Sequence, residues 1–323
     1  MAHEEKLGKR RAVPHDSARS PSSREVSVES TSFDNFGGVA TRSGADPAAA
    51  RTIFVSAPYE GTVSYGGGTA RGPAAILEAS RQVETRDDET GVDLEELSFA
   101  LGPTVLPSDD PPDVYARRLE QAVRDVVGLG AKPFVLGGEH SVTIGAVRAV
   151  REEHGPVHVL SLDAHADLRD EYEGHDHSHA CVMRRLLPGG GGTIVGVRSY
   201  SAEEARFAAG RKDVRLVSAR EATSPSFDAA AFVASLPAKL YVTFDVDGLD
   251  PSVVSATGTP EPGGLRWWDA LAILREVFLR RTVVGMDVVE LAPVDTSRVS
   301  DFATARLVAK MLSYDALAGR ENG

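Results

Sequence analysis

The sequence contains a single cysteine, Cys181, among its 323 residues. One cysteine excludes an intramolecular disulfide, and we expect a reducing, cytoplasmic compartment. No uninterrupted apolar run approaches the roughly 20 residues that a membrane-spanning helix needs, so we expect no membrane partner. The first residues, MAHEEKLGKRR, also lack the apolar core of a signal peptide.

Positive charge is in deficit, with 35 Lys and Arg against 47 Asp and Glu and a formal net charge of -12. A nucleic-acid-binding protein needs a basic face, so we expect no nucleic-acid partner. The glycine-rich segment 66–68 has neither the lysine nor the spacing of a phosphate-binding loop, which argues against nucleotide binding. Hydrophobic residues make up 42% of the chain, enough for a substantial globular core.

Short apolar segments rich in β-branched residues alternate with amphipathic segments along most of the chain. Such alternation is typical of a parallel sheet covered by helices on both faces. We therefore predict an α/β fold of three layers, α/β/α, with a mostly parallel central sheet. Residues 51–319 show no internal boundary and are predicted to form one domain. Residues 1–50 contain few large apolar side chains and are predicted to be a disordered tail.

Two of the predicted strands end in carboxylates. The two segments are VHVLSLDAHAD over residues 157–167 and LYVTFDVDGLDP over residues 240–251. The residues concerned are Asp163, His165, Asp167, Asp245 and Asp247. Functional groups of a parallel α/β sheet gather beyond the carboxyl ends of its strands. Carboxylates placed there repel one another unless a cation lies between them, so the pattern indicates a metal site. The first segment alone would also fit a loop that caps the next helix.

Further motifs continue the pattern in a fixed order. GGEHS contains His140, SHA contains His179, and a last predicted strand leads to Glu290. Together with GTARGP near the start and ATGTPEPGG late in the chain, these motifs resemble the ureohydrolase family, which includes arginase and agmatinase, and agmatinase most closely. The resemblance implies an arginase-like fold and an enzyme that hydrolyses a guanidino compound to urea and an amine.

The resemblance also implies a centre of two Mn²⁺ ions per subunit. One ion would be held by His140, Asp163, Asp167 and Asp245. The other would be held by Asp163, His165, Asp245 and Asp247. Carboxylates and imidazoles are mainly hard ligands and suit Mn²⁺ better than a thiolate-binding metal. Two such ions lower the pKa of a water molecule, which makes hydroxide available at neutral pH.

Two catalytic roles follow from the same resemblance. Glu290 is expected to bind the guanidinium group and fix its orientation. His179 is expected to carry a proton to the leaving amine, and its alternative is a histidine at a helix start with no role. The chain departs from the family pattern at Glu139, where Asp is common, and at Ala180, where Gly is common. We expect the longer Glu139 side chain to affect the orientation of His140 without removing a ligand.

The loop LRDEYEGHDHS over residues 168–178 bears on the substrate. It contains no asparagine, whereas arginases use Asn and Ser from this loop to bind an amino-acid carboxylate. Its acids are Asp170, Glu171, Glu173 and Asp176. We expect them to form an acidic rim that favours a small cationic guanidino substrate, above all agmatine, which yields urea and putrescine in polyamine or arginine catabolism. The alternatives are N(1)-aminopropylagmatine, 4-guanidinobutyrate with its carboxylate on Arg169, arginine, and a loop whose acids point away from the cleft.

Two other functional classes compete with this interpretation. A zinc deacetylase on a related fold would use one zinc ion and fewer ligands, which the six candidate ligands argue against. A non-enzymatic interaction protein on the same fold, acting through residues 1–50, would need none of them. The resemblance further implies a homo-oligomer, either a trimer or a hexamer.

Overall fold

A computed structural model of the chain describes residues 35–39 and 47–321. Within these ranges eight strands form a single sheet. The strands are β1 (Thr52–Ala57), β2 (Phe99–Thr104), β3 (Lys132–Gly137), β4 (His158–Leu162), β5 (Gly192–Val197), β6 (Val214–Ser218), β7 (Lys239–Asp245) and β8 (Thr282–Val289). The α-helices are α1 (Gly72–Ser80), α2 (Pro112–Gly128), α3 (Val142–His154), α4 (Val182–Leu186), α5 (Ala202–Ala209), α6 (Ala219–Ala222), α7 (Ala229–Ala234), α8 (Trp267–Arg280) and α9 (Val299–Glu321).

The sheet is parallel at every strand pairing, with the order β2-β1-β3-β8-β7-β4-β5-β6. Buried side chains of the sheet form two hydrophobic clusters with the helices. One cluster includes side chains of α1, α7, α8 and α9, and the other includes side chains of α2, α3 and α4. Phe54 belongs to the first cluster and its neighbours Ile53 and Val55 to the second, because successive side chains of a strand point to opposite faces. The predicted three-layer α/β/α fold is confirmed.

Helix α2 shows why these segments form helices against the sheet. Pro112 occupies its first turn, where the missing N–H costs no hydrogen bond. Tyr115, Leu119 and Val123 recur every four residues and are buried, so they form a continuous apolar stripe toward the core. None of the described helices is long and apolar enough to cross a lipid bilayer.

Part of the predicted tail packs against the domain. Phe36 is fully buried, its ring stacks on Phe54 with 5.3 Å between centroids, and it meets Phe99 edge-on at 6.4 Å. Aromatic pairs at these distances stabilise a core beyond the area they bury. The packed domain therefore includes Phe36, although residues 1–50 were predicted to be a disordered tail. Residues 1–34 and 40–46 of the predicted tail lie outside the described residues.

The loop after β1 approaches the end of β3 very closely. A side chain on Gly138 would place its Cβ atom 2.1 Å from the Tyr59 carbonyl oxygen, so only glycine fits there. Gly138 N donates to Ala57 O at 2.8 Å, and Glu139 N donates to Tyr59 O at 2.9 Å. These contacts fix the 58–68 loop against the residues that follow β3.

Candidate metal centre

Four neighbouring strands, β3, β8, β7 and β4, carry the predicted site residues at their carboxyl ends. His140 follows β3, and Asp163 comes directly after β4. Asp245 is the last residue of β7, and Glu290 comes directly after β8. The carboxyl ends of parallel strands lie at one edge of a sheet, so residues far apart in sequence meet at the middle of that edge.

His140 lies at the centre of a first group of ligand atoms. Its Nδ1 atom is 3.2 Å from Asp163 Oδ2 and 3.0 Å from Asp167 Oδ2. The same atom is 3.3 Å from Asp245 Oδ2, and all four side chains are buried. Within the described part of the chain, neither His140 Nδ1 nor Asp163 Oδ2 has a partner of hydrogen-bonding geometry. Buried polar atoms are rarely left in this state, so the convergence indicates a ligand between them.

His165 forms a second group next to the first. Its Nδ1 atom lies 3.0 Å from Asp247 Oδ2 and 3.7 Å from Asp163 Oδ1. Asp163 therefore turns one oxygen toward each histidine. The first group contains His140, Asp163 and Asp245, and the second contains Asp163, His165 and Asp247. Within each group the ligand atoms lie within 4.8 Å of one another, and Asp163 belongs to both groups.

The charges in these groups act strongly on one another. Burial by itself would lower the pKa of His165, but hydrogen bonds to Asp163 and Asp247 outweigh it and raise the pKa to about 12. Burial raises the pKa of Asp167 to about 7, and the negative charge of Asp163 adds to this effect. Burial and the charges of Asp247 and Asp163 raise the pKa of Asp245 well above its usual range. Carboxylates that repel each other in this way favour a cation between them.

The donor set fits a divalent metal ion. Four carboxylates and two imidazoles offer oxygen and nitrogen atoms of the kind that hard and borderline ions prefer. All six residues predicted from the sequence as ligands therefore lie together in this centre. Their individual roles as ligands stay a prediction.

A chain of hydroxyl groups orients His140, and the sequence analysis did not find it. His140 Nε2 lies 2.9 Å from Thr243 Oγ1, so Nδ1 is the nitrogen turned toward the carboxylates. Thr243 lies 3.4 Å from Thr143 Oγ1, which donates to the buried Asp287 carboxylate at 2.9 Å. The Tyr241 hydroxyl donates to the same oxygen at 2.8 Å. The sequence did contain a sign of this chain, because Thr243 and Asp287 are polar residues within the otherwise apolar strands β7 and β8.

Arg198 holds the segment that carries Asp247, and it too was missed. Its guanidinium donates to backbone carbonyl oxygens, among them Asp247 O at 2.8 Å and Glu261 O at 2.6 Å. The Asp247 side chain accepts from Ala164 N at 3.0 Å. These bonds connect the turn after β7 to the end of β4 and to the segment that contains Glu261. They fix the Asp247 carboxylate in place.

Glu290 points into the same site from a strained backbone. Its Oε1 atom accepts a hydrogen bond from His140 N at 2.6 Å, and its own N–H donates to Gly138 O at 2.8 Å. Its φ of 66° is left-handed, which costs a non-glycine residue about 1 kcal/mol or more. The two hydrogen bonds hold this conformation and leave Oε2 for a ligand.

His179 lies beside the metal centre. Its Nδ1 atom is 3.2 Å from Thr62 Oγ1 and 3.3 Å from Ser178 Oγ, and its ring meets Tyr172 edge-on at 5.7 Å. Burial, together with the positive charge of His140, lowers the pKa of His179 to about 4. The ring is therefore neutral at pH 7.

The centre opens into a cavity of about 330 Å³. Glu290 and His179 line this cavity together with every candidate ligand except the fully buried Asp163, and so do Tyr65, Arg169 and Tyr200. Tyr65 is 86% exposed and Tyr200 is 51% exposed, so both stand at the mouth. A concave site of this size suits a small molecule whose end reaches the metal centre.

The expectation of an acidic rim from the 168–178 loop is wrong. None of its four acids lines the cavity. Asp170 and Asp176 pair instead with Arg185 of α4. The loop contributes Arg169 to the cavity wall, with its guanidinium carbon 4.9 Å from the centre of the Tyr172 ring.

Comparisons with known proteins agree with this geometry. Residues 50–314 match the arginase family. An N(1)-aminopropylagmatine ureohydrolase from Synechocystis sp. is 39% identical over 82% of this chain and 89% of its own length. An agmatinase from Pyrococcus horikoshii is 37% identical over 81% of this chain and 89% of its own. The solved agmatine ureohydrolase of Thermoplasma volcanium, 28% identical, superposes with a TM-score of 0.77 over 86% of this chain and 94% of the other. The chain belongs to the arginase family.

Proposed function

We propose that the protein is a binuclear manganese amidinohydrolase that hydrolyses agmatine to urea and putrescine. The observation that carries this proposal is the convergence of four carboxylates and two imidazoles at the inner end of one small cavity. Membership of the arginase family and similarity to an agmatinase and to an agmatine ureohydrolase support the reaction type.

The two groups of ligand atoms would each hold one Mn²⁺ ion, with Asp163 and Asp245 shared between them. The position of Asp163 between His140 and His165 supports its shared role. When bound, a pair of divalent ions lowers the pKa of water and supplies the nucleophile for hydrolysis at neutral pH. Four carboxylates balance the charge of two such ions, so the centre would not repel a cationic guanidinium.

Glu290 and His179 would act on the substrate from the protein side. Glu290 Oε1 is already engaged by the His140 N–H, which leaves Oε2 to accept from the guanidinium and hold its plane. During hydrolysis the bond from the guanidinium carbon to the alkyl-bearing nitrogen breaks. The oxygen of the attacking water becomes the carbonyl oxygen of urea, and the leaving nitrogen takes up both of its protons to become an ammonium group. His179, neutral at pH 7, would carry one of these protons.

A second candidate substrate is N(1)-aminopropylagmatine. The Synechocystis relative that bears this name is 39% identical to the chain. The exposed rings of Tyr65 and Tyr200 at the cavity mouth would offer a cation–π surface to the additional amine. 4-Guanidinobutyrate is a further candidate, because the positive charge of Arg169 in the cavity wall would attract the carboxylate at its distal end.

We also propose a cytoplasmic homo-oligomer, a trimer or a hexamer, that acts in polyamine synthesis. The single cysteine, Cys181, is buried and free, as in proteins of a reducing compartment. Trp268, Val299 and Phe302 expose large apolar side chains that an interface between subunits would cover. Light scattering of the purified chain measures the number of subunits.

Urea release from the Mn²⁺-loaded protein tests the proposed function. Agmatine, N(1)-aminopropylagmatine, 4-guanidinobutyrate and arginine are compared by kcat/KM, and agmatine is expected to give the highest value. Chelation should abolish release and Mn²⁺ should restore it, at two ions per chain. Release that survives complete chelation, or a protein that acts on none of the four compounds, would contradict the proposal.

A further inference from the structure

Three segments of the chain meet at one hydroxyl group, that of Thr62 in the loop after β1. Thr62 Oγ1 donates to Glu139 Oε1 at 2.7 Å. The same oxygen accepts the backbone N–H of His179 at 3.1 Å and lies 3.2 Å from the Nδ1 atom of the His179 ring. Thr62 and Glu139 are both buried, so no solvent competes for these bonds.

Glu139 determines where the Thr62 proton lies. Its carboxylate also accepts from Thr62 N at 2.6 Å and from the Ser141 hydroxyl. The two oxygens of Glu139 thus accept from one backbone N–H and two hydroxyl groups, which makes Glu139 the acceptor in each of these bonds. The single proton of the Thr62 hydroxyl is therefore directed at Glu139, and only lone pairs of Thr62 Oγ1 face the His179 ring.

This arrangement selects one tautomer of the His179 ring. A ring nitrogen that faces an oxygen lone pair carries the proton, and in a neutral imidazole the other nitrogen is then free. The Ser178 hydroxyl, 3.3 Å from the same Nδ1 atom, accepts a hydrogen bond equally well. Thr62 and Ser178 both engage Nδ1, so Nε2 is the nitrogen left for the cavity that His179 lines.

We propose that Thr62 is a positioning residue for His179: with its own proton held by Glu139, it keeps Nδ1 protonated and leaves Nε2 free to exchange protons in the cavity. The inference rests on the proposed function, because it assigns Nε2 as the atom through which His179, the proposed proton carrier, would exchange protons. It also gives a role to Glu139, one of the two departures from the family pattern, because this carboxylate reaches both the backbone and the hydroxyl of Thr62.

The surrounding backbone makes the arrangement rigid. Gly138 approaches Tyr59 too closely for any side chain, and Glu139 N donates to Tyr59 O at 2.9 Å. The loop that carries Thr62 is thereby fixed against the residue that accepts its proton. Positioning groups act only when they are themselves held in place, as here.

The test compares two substitutions that differ by one hydroxyl group. Thr62→Val keeps the shape of the side chain but removes the oxygen, and Thr62→Ser keeps the oxygen. For agmatine hydrolysis by the Mn²⁺-loaded protein, Thr62→Val is expected to lower kcat about tenfold or more, within the range of general acid–base effects, with little change in KM. Thr62→Ser is expected to restore most of kcat. Thr69→Val serves as a matched control, because the Thr69 hydroxyl bonds to Glu60 and not to His179.

A double-mutant cycle separates positioning from general damage. In a His179→Ala background the Thr62→Val substitution should cost nothing further, because the group through which it acts is gone. An equal loss in both backgrounds, wild-type kcat in Thr62→Val, or a Thr62→Ser variant as impaired as the Val variant would each overturn the inference.

NMR spectroscopy can locate the proton on the His179 ring without a measurement of enzyme activity. In wild-type protein labelled with ¹⁵N-histidine and free of metal, the Nδ1 resonance of His179, assigned by its loss in His179→Ala, should have the shift of a protonated nitrogen. In Thr62→Val the Nε2-protonated form should appear. An unprotonated Nδ1 in the wild type would refute the inference even if the variants failed to fold. A wild-type protein that releases no urea but shows protonated Nδ1 would contradict the proposed function alone.

Discussion

Thr243 Oγ1 lies 2.9 Å from His140 Nε2, while His140 Nδ1 faces three carboxylates. Thr243 and Asp287 are register partners on the central strands β7 and β8, so the hydroxyl that orients this histidine comes from the middle of the sheet. A histidine that binds metal through one nitrogen is held through the other.

Thr243→Val should weaken Mn²⁺ binding about 10- to 100-fold, the usual effect of losing a group that orients a metal-binding histidine. The substitution preserves shape but leaves the buried His140 Nε2 without its partner. Thr243→Ser should stay near wild type. Calorimetric titration of metal-free protein with Mn²⁺ measures the effect, and equal affinities of the Val and Ser variants would contradict it.

Arg198→Lys should lower kcat about tenfold, because the turn that carries Asp247 loses its fixed position. The Arg198 guanidinium donates to several carbonyl oxygens at once, including those of Asp247 and Leu249. A lysine ammonium carries the same charge but cannot reach them with the geometry of a planar fork. Arg206→Lys, on the surface of α5, is the matched control. Full activity of the Arg198 variant would show that charge alone suffices.

Arg169→Ala should change substrate preference according to the charge at the distal end of the substrate. Arg169 lies in the cavity wall, so its removal should lower KM for agmatine and raise KM for 4-guanidinobutyrate. Two charges about 4 Å apart near a protein surface interact strongly enough to change KM severalfold. N-butylguanidine, which has no distal charge, is the control substrate. Parallel changes for all three compounds would contradict a charge effect.

Lys310→Met should reduce the free energy of unfolding by about 3 kcal/mol at pH 7, because it leaves a buried carboxylate without its cation. Lys310 Nζ lies 2.8 Å from Asp87 Oδ2, and both side chains are almost fully buried. Lys132→Met is the control, since the Lys132–Asp315 pair is partly exposed and should contribute about 1 kcal/mol or less.

The same pair predicts a pH dependence of stability. Burial would raise the pKa of Asp87, but hydrogen bonds from Lys310 and Thr90 outweigh it and lower the pKa below its usual value. Asp87 therefore stabilises the fold above its unfolded pKa of about 4, and this contribution is lost as pH falls through the lower folded pKa. Urea unfolding should show the difference between wild type and Lys310→Met shrinking below about pH 4. A difference independent of pH would contradict the assignment.

Deletion of residues 1–34 should leave urea release unchanged, whereas Phe36→Ala should reduce the free energy of unfolding by about 3 kcal/mol. Phe36 is fully buried between aromatic rings, so its removal leaves a cavity in the core. Loss of turnover in the deletion variant would favour a role for this segment in function. Unfolding in urea measures the Phe36 effect.

The sequence predicted the features that repeat along the chain. Strand–helix alternation led to the parallel three-layer fold. Two strand ends rich in carboxylates led to five residues of the candidate centre, and the GGEHS motif, through the family resemblance, added His140. The contributions of Thr243 and Arg198 could not be predicted, because they depend on which strands are neighbours and which carbonyls a turn presents. The error over the 168–178 loop has the same origin, since two of its acids, Asp170 and Asp176, pair with Arg185 of a helix whose placement the local sequence does not encode.

The four strands that bear the metal centre are adjacent in the sheet, yet they contribute residues from His140 to Glu290. During synthesis, a chain that ends before residue 282 lacks β8, which lies between β3 and β7. The ribosome must therefore release nearly all of this polypeptide before the centre can close around an ion. On the proposed function, metal uptake would therefore follow the synthesis of β8, and a product truncated before residue 282 would lack the strand that lies between those carrying His140 and Asp245.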